Sequence, residues 1–132
     1  MSLDAIGIAV EDLGRARDFY RHLGLELPED PEGHGHVEVT LAGGLRLMFD
    51  TFKTMESFDS SWKHTLGSTN ASLAFSFDTP AEVDTTHDEL VAAGGTSHLA
   101  PWDAFWGMRY AVLRDPDGNE LSLYALLPEN TE

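Results

Sequence analysis

The side chains in this sequence most able to bind a metal ion lie close together near residue 36. His34, His36 and Glu38 occupy alternate positions, and alternate residues of a β-strand share one face. Imidazole and carboxylate groups are ligands that zinc and iron accept in proteins. A metal site needs three or four converging ligands, and the sequence identifies no distant partner. The preferred interpretation is therefore a solvated loop that leads into a polar strand face.

A second set of candidates is aromatic and could bind a small molecule by stacking on a flat or cationic ring. These rings are Phe49, Phe52, Trp62, Trp102, Phe105, Trp106, Tyr110 and Tyr124. The polar side chains that could orient such a ligand are Arg46, Ser72, Arg109 and Ser122. Each ring is equally consistent with a place in the hydrophobic core. Trp62 and Trp102 are favoured as site residues because they fall in predicted loops, where binding residues concentrate.

Composition limits the classes of partner. The chain has 132 residues, 8 Lys plus Arg against 23 Asp plus Glu, and no cysteine. The formal charge of −15 disfavours nucleic acid, whose binding depends on Lys and Arg at phosphates. An acidic surface also attracts cationic partners, but the preferred interpretation is that the charge serves solubility. Disulfides and thiolate metal sites are excluded. No apolar run is long enough to span a membrane and no signal pattern opens the chain, so we expect a cytoplasmic protein with no membrane partner.

Hydrophobic periodicity predicts one domain, residues 1–132, made of two similar halves. Each half reads as a strand, a helix that ends at glycine, and then three further strands, within residues 3–50 and 70–127. Leu25–Leu27 is predicted as a short strand, Thr96–Ala100 as a strand, and Pro101–Gly107 as an aromatic turn. Residues 50–69 are predicted to form a long ordered loop that could include a helical turn.

Two stretches carry a family resemblance. They are AVEDLGRARDFYRHLGLEL, from residue 9, and WGMRYAVLRDPDGNELSLY, from residue 106, in which DPDGN is a turn between two alternating strands. Over residues 3–126 the chain resembles the vicinal oxygen chelate group, which comprises glyoxalases, bleomycin-resistance proteins and extradiol dioxygenases. The resemblance implies an α+β fold in which two βαβββ repeats form a cup-shaped mixed sheet. It also implies a homodimer.

The resemblance further implies where a metal ion would bind in the metal-using members. The four matching positions hold Ala5, Arg46, Ser72 and Ser122, none of which replaces imidazole or carboxylate. We therefore expect no metal and no other cofactor, and Glu120 is expected to face away from the cup. The chain is closest in character to the metal-free members that bind and sequester antibiotics.

These observations give one preferred function and three alternatives. The preferred function is a non-catalytic antibiotic-resistance protein that sequesters an aromatic or cationic small molecule. The first alternative is a metal-dependent lyase, isomerase or dioxygenase with a displaced metal site at His34, His36 and Glu38. The second is a metal-independent enzyme that uses Arg46, His64 or His98 as acid or base. The third is a plain interaction module, because the resemblance implies a fold that dimerises through its sheets.

Overall fold

The computed structural model describes residues 1–65 and 71–128. The chain divides into two compact units, Met1–Leu66 and Gly67–Glu132. Their boundary falls within the loop predicted over residues 50–69, whose last residues lie outside the described part of the chain. The predicted strand start at Asn70 lies outside it as well.

The first unit contains a three-stranded sheet and two helices. Its elements are β1 (Ala5–Val10), α1 (Leu13–Tyr20), a single 3-10 turn (Arg21–Leu23), β2 (His36–Thr40), β3 (Arg46–Thr51) and α2 (Phe52–Phe58). The strand order is β1-β3-β2, in which β1 and β3 are parallel and β2 and β3 are antiparallel. The central position of β3 places Arg46 beside Ala5 and Asp50 beside His36.

Helix α1 is stabilised by a capped N-terminus and by a stripe of buried apolar residues. The Asp12 side chain caps the helix by accepting a hydrogen bond of 2.9 Å from the Arg15 backbone N–H. The buried stripe lies at spacings of one to three residues and consists of Leu13, Ala16, Phe19 and Tyr20. Tyr20 meets Phe49 of β3 edge to face, with ring centroids 5.1 Å apart. This contact joins the helix to one face of the first sheet and leaves the other face uncovered by α1.

One sequence prediction for this unit is wrong. Leu25–Leu27 is not a strand, although Leu25 and Leu27 are both buried. The Leu25 N–H donates to the Tyr20 carbonyl to close the helix, and Pro28 has no N–H to offer a neighbouring strand.

The segment predicted as a loop that could include a helical turn contains helix α2, which is seven residues long. The Thr51 side chain caps this helix by accepting a hydrogen bond from the Thr54 N–H at 3.1 Å.

The second unit contains a four-stranded sheet and one helix. Its elements are β4 (Leu73–Ser76), α3 (Pro80–Ala92), β5 (Thr96–Ala104), β6 (Met108–Arg114) and β7 (Glu120–Leu126), with strand order β4-β7-β6-β5. Helix α3 begins with Thr79 as N-cap and Pro80 in the first turn. Glu82 completes a capping box with Thr79.

The predicted turn between the last two strands is confirmed. One Asp115 carboxylate oxygen accepts hydrogen bonds from the backbone N–H groups of Asp117 and Asn119, each at 2.9 Å. Gly118 has a φ of 92°, in the left-handed region that glycine adopts without steric cost. Because Asp115 is 98 % buried, these bonds also satisfy a carboxylate that has lost its contact with water.

The predicted aromatic turn at Pro101–Gly107 is mostly strand. Strand β5 continues to Ala104, and Trp102 pairs with Tyr110 of β6. Pro101 is tolerated because β5 is an edge strand and the ladder shifts register between Leu99 and Trp102. Trp102 is therefore a strand residue, contrary to its prediction as a loop residue.

The prediction of an α+β fold with a sheet and helices in each half is confirmed. The second unit has the predicted βαβββ order, whereas the described part of the first unit has three strands and the additional helix α2. The assignment of residues 1–132 to one domain stays a prediction. Within the described residues, no helix combines the length and the apolar character needed to cross a bilayer.

Candidate functional site

Each unit leaves one sheet face free of its own long helix, and these two faces hold most of the predicted site residues. The first open face includes the residues Ala5, Gly7, Ala9, His36, Glu38, Thr40, Arg46, Met48 and Asp50. The second open face includes Ala74, Ser76, Trp102, Ala104, Met108, Tyr110, Val112, Arg114, Glu120, Ser122, Tyr124 and Leu126. Both sets follow from the alternation of side chains along strands that are in register.

The first open face carries a chain of ion pairs centred on a histidine. The His36 ring lies between two carboxylates, with Nδ1 2.6 Å from Asp50 Oδ1 and Nε2 2.7 Å from Glu38 Oε2. Arg46 extends the chain, because its Nη1 donates to Glu38 at 2.5 Å and its Nη2 donates to Asp4 at 2.6 Å. Every charged group of this face therefore has a partner within the protein.

These contacts shift the pKa values of the groups in predictable directions. The hydrogen bond to Glu38 and then that to Asp50 raise the pKa of His36 above 6.5. The pKa of Glu38 is lowered, first by His36 and then by Arg46. Asp4 and Glu38 raise the pKa of Arg46. The network thus stabilises the charged form of these three members.

The predicted alternative metal site does not assemble in the described residues. Glu38 and Asp50 bind opposite nitrogens of the His36 ring, so no point lies within ligand distance of all three groups. His34 is exposed, and its ring pairs with Glu32 at 2.8 Å. Among residues 1–65 and 71–128, no group of three or more His, Asp or Glu side chains is arranged to hold a metal ion.

The first unit also contains an open cleft of about 480 Å³ beside the start of α1. Its lining is acidic and includes Glu11, Asp12, Glu29 and Asp30, with Arg17 as the one cation. The carboxylate of Asp30 accepts the Gly35 N–H at 2.8 Å, and this bond lowers the pKa of Asp30. No predicted ligand-binding residue lines this cleft.

The second open face carries a continuous group of aromatic rings centred on Tyr110. The Tyr110 ring lies 5.6 Å from Trp102, 5.4 Å from Trp106 and 6.2 Å from Tyr124. Both tryptophans meet it edge to face, whereas the Tyr124 ring lies nearly parallel to it. Phe105 adds a further ring against Trp106 and is almost fully exposed. The sequence-predicted rings from residue 102 onward are thus brought together.

The remaining predicted rings, all in the first unit, lie in the core, or in or beside helix α2. Phe49 is fully buried against Tyr20 and is a core residue, because β3 turns it away from the face that bears Arg46. Phe52 and Trp62 lie together in the first unit, 5.3 Å apart, and Phe52 also stacks on His64. These rings form a group of their own within the first unit.

Only some of the predicted polar ligand contacts of the second unit lie on its open face. Ser122 is buried on the second open face and Ser72 is exposed just before β4. Arg109 lies on the opposite face of β6 from Tyr110, where its Nε and Nη2 donate to Asp84 of α3 and its Nη1 donates to Asp103. These partners raise the pKa of Arg109, Asp84 most strongly. Arg109 is therefore a helix–sheet contact and not a ligand contact of the open face.

Two residues of the second open face were misjudged or missed from the sequence. Glu120 was expected to face away, but it lies two residues from Ser122 and so shares its face. Arg114, which also alternates with Tyr110, was not singled out. Both residues lie an even number of positions from a predicted site residue of the same strand, and this spacing in the sequence indicates that they share its face.

Comparison with known proteins identifies the family to which this chain belongs. A family model described as Glyoxalase: Glyoxalase/Bleomycin resistance protein/Dioxygenase superfamily matches residues 2–123. Among curated proteins none matches the chain.

Solved structures with a similar fold include three from bacteria. A glyoxalase-related enzyme from Fulvimarina pelagi has a TM-score of 0.79 and 20 % identity, covering 94 % of this chain and 87 % of that one. A glyoxalase/bleomycin resistance protein/dioxygenase family enzyme from Burkholderia phytofirmans PsJN has a TM-score of 0.75 and 23 % identity, covering 96 % and 100 %. A glyoxalase/bleomycin resistance protein from Albidiferax ferrireducens T118 has a TM-score of 0.68 and 22 % identity, covering 92 % and 96 %.

Proposed function

This chain belongs to the glyoxalase/bleomycin resistance protein/dioxygenase superfamily, and we propose that it binds and sequesters a planar aromatic small molecule without a metal ion. The observation that carries the proposal is the ring group of the second open face. A ligand of this kind would stack there on Trp102, Trp106, Tyr110 and Tyr124. The ring system of the ligand is neutral or cationic, since electron-rich ring faces attract both.

The packing of these rings supports a stacking site. Trp102, Tyr110 and Tyr124 contact one another through their rings and are only half-buried, so part of each side chain is accessible to a ligand. Trp106 is 47 % exposed even though it contacts three other rings. Contiguous apolar patches that remain exposed are typical of interaction sites and ligand-binding grooves.

The residues at the family's metal-binding positions support a site without metal. Ala5 offers no donor atom, Arg46 is permanently charged and already binds two carboxylates, and Ser72 and Ser122 offer hydroxyls only. Nickel, zinc and iron sites are built from imidazole, carboxylate or thiolate. No observation favours the alternative enzyme with a displaced metal site, because His34 turns to Glu32 instead of towards His36.

The proposal is tested by tryptophan fluorescence in a Trp62→Phe background, where the remaining tryptophans are Trp102 and Trp106. The protein is titrated with planar cationic antibiotics, with neutral polycyclic aromatics and, separately, with divalent zinc, nickel, manganese and iron. We expect saturable quenching by aromatic ligands and no saturable response to the metals.

A matched control variant separates stacking from nonspecific adsorption. Val91 is an exposed apolar residue on α3, and Val91→Ser should leave the affinity unchanged. Trp106→Ala should lower the affinity about tenfold, the order expected for one lost stacking partner together with its contact area. A saturable response to a metal ion alone would overturn the proposal and favour an enzyme.

We also propose that the protein is a homodimer, as its family resemblance implies. Phe105 and Leu126 of the second unit are 97 % and 71 % exposed, which is costly for large apolar side chains that remain in water. Light scattering after size exclusion should give about twice the 14.5 kDa chain mass. A monomer at micromolar concentration would exclude a stable dimer.

A further inference from the structure

We propose that the second open face binds a carboxylate at Arg114, so that its ligand is an aromatic acid. The inference rests on the proposed stacking function and adds the chemical class of the ligand. Arg114 is the last residue of β6 and lies four residues from Tyr110. The two side chains therefore share one face of the strand, with their Cα atoms roughly 13 Å apart at the usual rise per residue.

One guanidinium nitrogen of Arg114, a half-buried residue, lacks the acceptor that a buried donor normally has among the described residues. Its Nε is buried, and no acceptor in the described part of the chain lies within hydrogen-bond distance of it. Arginine stays protonated at every physiological pH, so it cannot relieve the burial by losing its proton. A buried donor without an acceptor is unfavourable, and an oxygen atom supplied by a ligand would remove the penalty.

Arg109 provides an internal comparison on the same strand. Its Nε and Nη2 donate to the two carboxylate oxygens of Asp84 at 2.9 and 3.2 Å, which is the side-on pairing of a guanidinium with a carboxylate. The Nε of Arg114, by contrast, has no acceptor among the residues that the structure describes. A ligand carboxylate fits this geometry because its two oxygens match the fork of donors.

The surface between Arg114 and the rings suits a short apolar spacer. Val112 lies between Tyr110 and Arg114 on β6 and is in register with Ser122 of β7. Ser122 is in turn beside the small residue Ala74 of β4. An aromatic ring system on the tyrosines, joined by a few methylene groups to a carboxylate, would span this distance.

Glu120 competes with the ligand for Arg114. The two residues are register partners across β6 and β7, so a change of side-chain rotamer could pair them. The competition predicts that Glu120→Gln raises the affinity for an aromatic acid. A ligand without negative charge should not respond in this way.

The test compares 4-(2-naphthyl)butanoic acid with its primary amide, a neutral probe of nearly the same shape, by calorimetry on the full chain. Wild-type protein should bind the acid at least tenfold more tightly than the amide, the order expected for charged hydrogen bonds. Arg114→Gln should abolish that preference and keep the affinity for the amide. Arg114→Lys should restore part of the preference, because it keeps the charge and loses the fork of donors. Arg109→Gln, on the opposite face, should leave the preference unchanged.

The outcomes separate this inference from the proposed function. If wild-type protein binds both probes equally, the carboxylate site is wrong and the stacking site stands. If the acid preference survives in Arg114→Gln, another group holds the carboxylate and the inference is wrong. If neither probe binds, the stacking function fails and the inference fails with it. Equal affinities of the wild-type protein for the acid and the amide would overturn the inference even if an Arg114 variant does not fold.

Discussion

The two open sheet faces are built in similar positions of similar units but differ in what they leave free. On the first, small residues surround ion pairs that link His36 to Glu38 and Asp50 and link Glu38 to Arg46. On the second, rings meet edge to face around Tyr110, and the Nε of Arg114 has no acceptor in the described part of the chain. A charge that already has a partner offers little to a ligand, whereas an exposed ring or an unpaired donor offers contact area or a bond.

The largest expected effect is a loss of unfolding free energy that differs between a core ring and a surface ring. Phe49→Ala should lower the free energy of unfolding by about 3–5 kcal/mol, because it removes a fully buried ring that packs on Tyr20. Trp106→Ala, at a half-exposed ring of the second open face, should cost less than about 1 kcal/mol. Urea unfolding measures both values. Equal losses would mean that the surface rings are structural and would remove the basis of the comparison.

The next effect concerns binding to the two faces. Tyr110 contacts three other rings, so Tyr110→Leu should lower the affinity for a planar aromatic ligand at least tenfold. Arg46→Gln on the first open face should change that affinity less than threefold, since Arg46 is engaged by Asp4 and Glu38. Isothermal calorimetry decides between them. A larger loss for Arg46→Gln would show that the charged face, not the aromatic one, holds the ligand.

A smaller effect concerns a device that both units share. Thr79→Ala removes the side-chain cap of α3 and Asp12→Ala removes that of α1, and each should cost about 1 kcal/mol of unfolding free energy. Thr79→Ser keeps the capping oxygen and should be nearly neutral. Thermal or urea unfolding of the four proteins tests this expectation. A loss well above 2 kcal/mol in one unit alone would show that its helix depends on the cap for more than local stability.

The smallest effect is the pH dependence of the first open face. The folded pKa of His36 is raised, so its stabilising contribution is complete below the unfolded pKa of about 6.5 and is lost as pH rises through the higher folded value. The His36 side chain is 37 % exposed, so screening should limit the contribution to less than about 1 kcal/mol. His36→Gln should therefore lower stability at pH 5.5 in low salt and have little effect at pH 9. An equal effect at both pH values would argue against the charged pairing.

Local patterns in the sequence predict much of this fold. The Asp115–Asn119 turn depends on neighbouring residues alone, and it is present as predicted. The capping box at Thr79 and the buried stripe of α1 are local features of the same kind. The prediction of a strand at Leu25–Leu27 is wrong because two buried residues at alternate positions also occur where no neighbouring strand pairs with them. Helix α2 is longer than the helical turn that the sequence allows in this segment, and the sequence marks it only by the cap at Thr51.

The candidate site was harder to predict because strand parity and distant pairing decide it. Phe49 was grouped with the surface rings although it lies three residues from Arg46, an odd spacing that places it on the opposite face. The pairing of Arg46 with Asp4, 42 residues away, depends on the parallel register of β1 and β3, which no local pattern contains. The pairing of Arg109 with Asp84, 25 residues away, likewise depends on the packing of α3 against β6 and not on a local pattern.

The most direct test of the central claim is a two-dimensional NMR titration of the 14.5 kDa chain with a planar aromatic ligand. The three tryptophan indole N–H signals report separately on Trp62 in the first unit and on Trp102 and Trp106 in the second. We predict that the signals of Trp102 and Trp106 and the amides of Tyr110 and Tyr124 shift to saturation. Shifts confined to His36, Glu38 and Trp62 would contradict the account and move the ligand site to the first unit.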